Sequence, residues 1–457
     1  MKKVKERIKL SEHFNYSRLF RFVLPSIVMM VFISVYGIVD GFFVANFAGE
    51  LQFAALNLIF PLIMILGSVG FMLGTGGNAV VSKALGEGNT EKANRIFSML
   101  VYVTLVFGVL LAVVGVLISP FMARLFAASE EGLSVSEKER LIEYCTVYAR
   151  IILAVLPAFM LQNAFQGFFV TAEKPRLGLY VTVAAGLGNV VFDALFVAVF
   201  GWGLVGAALA TALNQIVGGV LPLFYFGRKN DSLLRLGKTS FDGKTLGKVC
   251  INGLSELMTN ISLSVVTIFY NAQLMRFIGI QGVSAYGVLQ YIGFIFIGVF
   301  LGYSVGSAPI IGYQYGAQND AELKNVYKKS LFIVLALGVM MTLIAGVFAE
   351  VLASVFVGAD KELLALTTHG MRVYALCFVT CGVNIFASAF FTALSNGGVS
   401  LLISFSRTFV CQIIAVLVLP EFFGVEGVWA SVVVAEVITL FLTVALFALE
   451  RKRYRYL

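Results

Sequence analysis

The chain has 457 residues, 59% hydrophobic and 13% charged, with a formal net charge of +8. Soluble globular domains carry about 25% charged residues, which excludes that class, and the many windows of about 20 apolar residues are long enough to cross a bilayer as helices. A membrane β-barrel would show short alternating segments instead, and the basic residues lie at helix ends and in short loops, where they act as topology signals and not as a nucleic-acid patch.

The N-terminal stretch MKKVKERIKLSEHFNYSRLFR is basic, and the apolar run after it continues to about Ala48. A cleavable signal has an apolar core of only ~7–15 residues, so this run reads as a retained first helix with an amphipathic lead-in. Further apolar runs predict helices at 20–47, 54–82, 96–126, 142–171, 177–200 and 204–226, then at 249–276, 284–315, 330–357, 369–395, 399–420 and 426–449. The expected fold is an all-α integral membrane protein of twelve transmembrane helices in two six-helix lobes. The N-terminal lobe takes 1–226, a cytoplasmic linker 227–248, and the C-terminal lobe 249–457.

An even number of spans puts both termini on one side. With the termini inside, the inner segments hold 25 Lys and Arg, whereas the outer side and its adjoining helix ends hold seven. This bias predicts a cell-membrane protein with both termini cytoplasmic. The halves also resemble each other: LGEGNTEKANRIF at 85–97 matches YGAQNDAELKNVY at 315–327, and GLVGAALAT at 203–211 matches GVEGVWASV at 424–432. Six helices per copy preserve orientation, so the repeat predicts a pseudo-two-fold axis along the membrane normal, as in transporters.

The polar residues inside the apolar runs are then placed by depth. In GNVVFDALF, Asp193 precedes the outer turn at Trp202 by as many residues as Thr211 follows it. At ~1.5 Å per residue both lie roughly 13 Å from the turn, near the midplane of a ~30 Å hydrocarbon core. Asn189 is one turn below Asp193 on the same face. Asp40, in VYGIVDGFFVANFAG, reaches a similar depth on the first helix. A charged group at that depth costs ~2.5–3.5 kcal/mol and marks ion or proton paths. Two such acids cannot both ionise cheaply, so the pair suits a proton, and the four groups together are hard oxygen ligands for a small cation. The C-terminal equivalents of Asp193 and Asp40 fall near Ile414 and Tyr270, so that half lacks the acids. Glu256 lies about two turns from the inner end of the seventh helix, either lining a cavity or solvated at its rim. Glu436 is expected to pair with Arg407, and Arg150 and Arg372 to snorkel at outer helix ends. Cys145, Cys250, Cys377, Cys381 and Cys411 read as small buried hydrophobes, since no metal-type Cys/His spacing occurs.

Taken together, these residues resemble the multidrug and toxic compound extrusion (MATE) family, in its MepA-like bacterial branch. The likeness spans nearly the whole chain and is carried by VYGIVDGFFVANFAG, by YARIILAVLPAFMLQNAFQGFFVTAEKPRLGL and above all by GNVVFDALFVAVFGWGLVGAALAT. The resemblance implies a secondary active multidrug efflux transporter, exchanging Na+ or H+ for organic, often cationic lipophilic compounds by rocking of two lobes, with a role in antibiotic resistance. It implies that Asp40, Asn189, Asp193 and Thr211 form the cation-binding site, and that Tyr36, Tyr148, Asn163 and Gln166 line the same pocket, Gln166 standing where some members have Asn. Some relatives use acids in the C-terminal lobe, where Glu256 is the one acid at a plausible place, though out of their register. Small-molecule drugs or toxic organic cations and the lipid bilayer are the expected partners, without nucleic acid. The chain is expected to act as a monomer, to need no cofactor, to bind no metal beyond Na+ and to catalyse no reaction. No GxxxxGK[ST] loop indicates ATP use. The alternative is a lipid-linked oligosaccharide flippase of the same superfamily, which would offer basic cavity residues where this chain offers acids.

Overall fold

The computed structural model describes residues 8–128, 134–357 and 360–456, and every regular element among them is helical. The first half comprises α1 (Tyr16–Ala48), α2 (Glu50–Gly86), α3 (Thr90–Ala128), α4 (Val135–Ala154), α5 (Leu156–Thr171), α6 (Pro175–Val199) and α7 (Gly203–Gly227). The second comprises α8 (Gly243–Phe277), α9 (Ile280–Gly316), α10 (Asp320–Val347), α11 (Ala349–Val357), α12 (Lys361–Ala375), α13 (Phe378–Ala393), α14 (Gly397–Phe423) and α15 (Val425–Tyr454). Ten of these are long and apolar enough to cross a membrane. Counting the bent pairs α4–α5 (56°) and α12–α13 (51°) as one span each gives twelve.

The expected spans are all present, but hydropathy marked only their apolar middles. The helix ends are set by caps that lie beyond the apolar runs. Asn319 accepts the Glu322 amide at the start of α10, and Asp242 accepts the Lys244 and Thr245 amides at the start of α8. Ser134 and Glu137 form a reciprocal capping box at the start of α4. The expected single helix at 142–171 is broken after Ala154, where Pro157 opens α5 and cannot donate into the preceding turn. The expected helix at 330–357 is likewise two, α10 and α11.

Two compact units emerge, and they differ from the expected lobes at their edges. One holds Phe32–Gly253 and the other Ile8–Val31 with Leu254–Leu457. The N-terminal half of α1 thus belongs with the second unit, where Ile27 and Val23 sit against Gly302 and Gly306 of α9. The first seven residues of the expected amphipathic lead-in lie outside the described residues. Residues 8–15 are not helical but form a strap with Leu10 and Phe14 fully buried. Glu322 fixes the strap by accepting the Phe14 amide at 2.9 Å and meeting His13 Nδ1 at 2.6 Å. The expected linker 227–248 shortens to 228–242 because α8 begins at Gly243. It is not a loose tether: Gly237 donates to Ser98 Oγ, Thr239 to the Arg95 carbonyl and the Arg235 amide to Asn94 Oδ1, all on α3.

Each unit carries the same internal landmarks. In the first, Phe97 packs on Phe168 (4.9 Å) and Phe226 (5.1 Å); in the second, Tyr327 packs on Phe390 (5.1 Å) and Phe447 (5.2 Å). The turn after α2 has Gly88 at φ +77°, and the turn after α9 has Gln318 at φ +55° in the same place. The turns after α5 and α13 match in the same way, with Glu173 at +58° and Ser395 at +60°.

Candidate functional site

One end of the first unit closes around a core that includes Ile59, Leu141, Cys145, Ile152, Leu153 and Met160. Against this packing, α1, α4, α6 and α7 bring polar groups together. Thr211 Oγ1 on α7 donates to Asp40 Oδ1 on α1 at 3.3 Å. Asp193 on α6 is fully buried, and among the described residues neither of its carboxylate oxygens has a hydrogen-bond partner. Asp40 and Asp193 are close enough to interact directly as charges. Tyr148 on α4 is buried and lies within electrostatic reach of both. Tyr36, one turn before Asp40, lies beside Asn214 and stands where a side chain on Gly186 of α6 would have to be. A Cβ at Gly186 would meet Phe32 at 2.5 Å and Tyr36 at 2.9 Å. The glycine is what lets α1 and α6 approach closely enough for their carboxylates to meet.

Asn189 is buried at 1% exposure with its Nδ2 unpartnered, one turn below Asp193. Directly after Asp193 the helix widens into a π-helical turn, Ala194–Val199. The C-terminal end of α1 does the same over Val44–Ala48. Such turns are frequent at functional sites. On α5, Gln166 Nε2 donates to Asn163 Oδ1 at 3.5 Å, and Asn163 Nδ2 has no partner among the described residues. Glu256 is not part of this cluster. It lies half-buried in the second unit, within electrostatic reach of Arg407. There Arg407 Nη1 donates to Glu436 Oε1 at 3.2 Å, the pairing expected from sequence. Asn384 donates to Glu436 Oε2 at 2.8 Å, and Thr443 donates to Asn384 at 2.9 Å.

Depth reasoning passed over Asn214. Its spacing of three from Thr211 sets it on the same face of α7, and that spacing is the signal that finds it. Also passed over was Gln52, whose Oε1 accepts the Leu204 amide at 2.6 Å and caps α7 from the start of α2.

The MatE family profile matches residues 25–195 and 257–418, and the chain belongs to this family of multidrug efflux transporters. It is 24% identical over 453 residues to the multidrug export protein MepA of Staphylococcus haemolyticus (strain JCSC1435), covering 97% of this chain and 96% of that protein. A multidrug resistance MATE family transporter of the MOP superfamily, solved in an outward-facing conformation, superposes with a TM-score of 0.88 at 21% identity over 100% of both chains. A MATE solved in complex with MaL6 superposes with a TM-score of 0.89 at 20% identity over 98% of both chains.

Proposed function

We propose that the protein is a cation-coupled drug antiporter. In this reading Asp40, Asn189, Asp193 and Thr211 bind the coupling Na+ or H+, and Tyr36, Tyr148, Asn163 and Gln166 line the adjoining pocket. Multidrug export by the MepA relatives supports the substrate class: organic, often cationic lipophilic compounds. One observation carries the coupling site. A fully buried carboxylate, Asp193, has no hydrogen-bond donor among the described residues and faces a second carboxylate, Asp40. Burying such a charge unpaired is costly. A shared proton or a small cation held by carboxylate, amide and hydroxyl oxygens removes that cost. The cation favours one arrangement of these helices and the drug another, which is what exchange requires.

Proteoliposomes with Na+ and H+ gradients imposed separately test the reading, with efflux of an ethidium-type compound as readout. Export driven by one gradient supports it; export driven by neither sinks it. The charge bias further supports cytoplasmic termini. A Lys238→Cys variant is then expected to resist an impermeant thiol reagent applied from outside, and strong labelling reverses the orientation.

A further inference from the structure

Where α7 ends, the turn that follows shapes a shallow cavity of about 630 Å³, open to the surface and lined by Phe224, Tyr225, Arg228, Lys229, Asn230 and Asp231. Its one carboxylate is already used, because Asp231 is ion-paired with Lys174. Arg228 and Lys229 are both exposed, and neither has a carboxylate partner among the described residues. The cavity therefore holds two uncompensated positive charges. The turn is held in shape without them. Asn230 Nδ2 donates to the carbonyls of Tyr225 and Arg228 at 3.1 Å each. Its Oδ1 accepts from the Ser232 amide at 3.0 Å and from the Ser232 hydroxyl at 2.7 Å. Arg235 donates to the Asn230 carbonyl at 2.6 Å, and Leu234 is buried beneath. A preformed turn loses little conformational freedom when a ligand settles on it.

The second half of the argument is apolar. Leu213, Ile216, Leu221 and Phe224 are all exposed on α7. Their spacing puts them on one side of the helix, as a strip that runs down the span and ends at the cavity. The Arg228 guanidinium lies 6.0 Å from the Phe224 ring centroid, at the junction of strip and cavity. Two cations at the end of a membrane span, above an aromatic ring and an aliphatic strip, match the chemistry of a phospholipid: anionic head, apolar tail. We propose that this cavity binds an anionic phospholipid, its phosphate held by Arg228 and Lys229 and its acyl chains along Leu213, Ile216 and Leu221. The proposal is independent of the coupling site.

The test uses the purified full chain in detergent. Bound lipid is counted by mass spectrometry during titration with phosphatidylglycerol or with phosphatidylcholine of the same acyl chains. The wild type is expected to bind phosphatidylglycerol on the order of tenfold more tightly. Arg228→Gln/Lys229→Gln is expected to abolish that preference, and each single variant to lose part of it. Lys244→Gln/Lys248→Gln, which alters cations outside the cavity lining, keeps it. Equal affinity for both lipids in the wild type overturns the proposal, as does a preference that survives the double substitution. Displacement of phosphatidylglycerol by millimolar inorganic phosphate would mean a free-anion site instead, and would overturn it too.

Discussion

The two units share a scaffold, and the register between them can be fixed from backbone landmarks. Gly49 and Gly279 close α1 and α8 with positive φ, at +101° and +84°. Counting back from these turns, Asp40 in the first unit corresponds to Tyr270 in the second. Tyr270 is buried and stacked on Tyr286, with ring centroids 4.8 Å apart. Counting from the turn at Gly203 and its counterpart at Gly424, Gln215 on α7 corresponds to Glu436 on α15. Near the place of Gly186 on α6 stands Arg407 on α14. The first unit thus has two facing acids and a glycine that lets them approach. At the corresponding positions the second has one acid, Glu436, with an arginine occupying the space. Arg407 and the acid it bonds are only 12% and 4% exposed, and Asn384 completes the carboxylate. Arg407 and Glu436 satisfy one another, so their ion pair is a fixed part of the packing. Asp40 and Asp193 have no cationic side chain bonded to them among the described residues, and in the proposed reading a bound cation or proton supplies the balance. One fold therefore hosts both a settled and an unsettled buried polar cluster, and the difference lies in a few side chains.

The largest effect should come from removing the unsettled charge. Asp193→Asn keeps the shape and removes the carboxylate, so the variant should reach the membrane at normal levels while gradient-driven export falls on the order of 100-fold. Efflux in cells, normalised to membrane expression, checks this. Wild-type export by a well-expressed variant would end the distinction between the two units. Arg407→Leu should act on the other side of the comparison. It strands Glu436, and leaving a buried partner unpaired costs on the order of 3–5 kcal/mol. Thermal unfolding of the purified protein should fall, and Arg407→Leu/Glu436→Leu should recover much of the loss. If the double variant is as unstable as the single one, the pair is not self-contained.

Much of this was legible in the sequence for physical reasons. Twelve apolar runs are obligatory for a chain whose backbone must be satisfied within each span. The meeting of Asp40 with Thr211 followed from equal distances to turns, because a helix converts residue count into depth. Three features were not legible. The bend at α12–α13 has no proline to announce it. The transfer of Ile8–Val31 to the second unit depends on contacts such as Gly302 with Ile27, which pair positions far apart in the chain. The docking of 228–242 on α3 is made mostly by backbone groups and short polar side chains, and these leave no periodic signature.

A smaller effect separates the two coupling ions. If Na+ is bound directly, Thr211→Ala removes an oxygen ligand and should weaken apparent Na+ affinity on the order of tenfold. If the ion is H+, only a hydrogen bond to Asp40 is lost, and export should fall a few-fold. Measuring export against Na+ concentration in proteoliposomes decides between them. Unchanged export under either gradient would remove Thr211 from the site.

The smallest expected effect concerns Glu256, which stands between the two kinds of cluster. It is half-buried, in reach of Arg407, and accepts no hydrogen bond on its carboxylate among the described residues. Arg407 is already bonded to Glu436 and offsets only part of a second negative charge. Glu256 is therefore the one acid of the second unit whose charge is left partly uncompensated near Arg407. A carboxylate in that position attracts cations through low-dielectric surroundings. Glu256→Gln should lower export of cationic compounds a few-fold while leaving export of neutral ones nearly unchanged. Parallel efflux assays with a cationic and a neutral substrate of similar size provide the comparison. Equal losses for both would mean that Glu256 belongs with the settled charges of the second unit and has no part in attracting substrate.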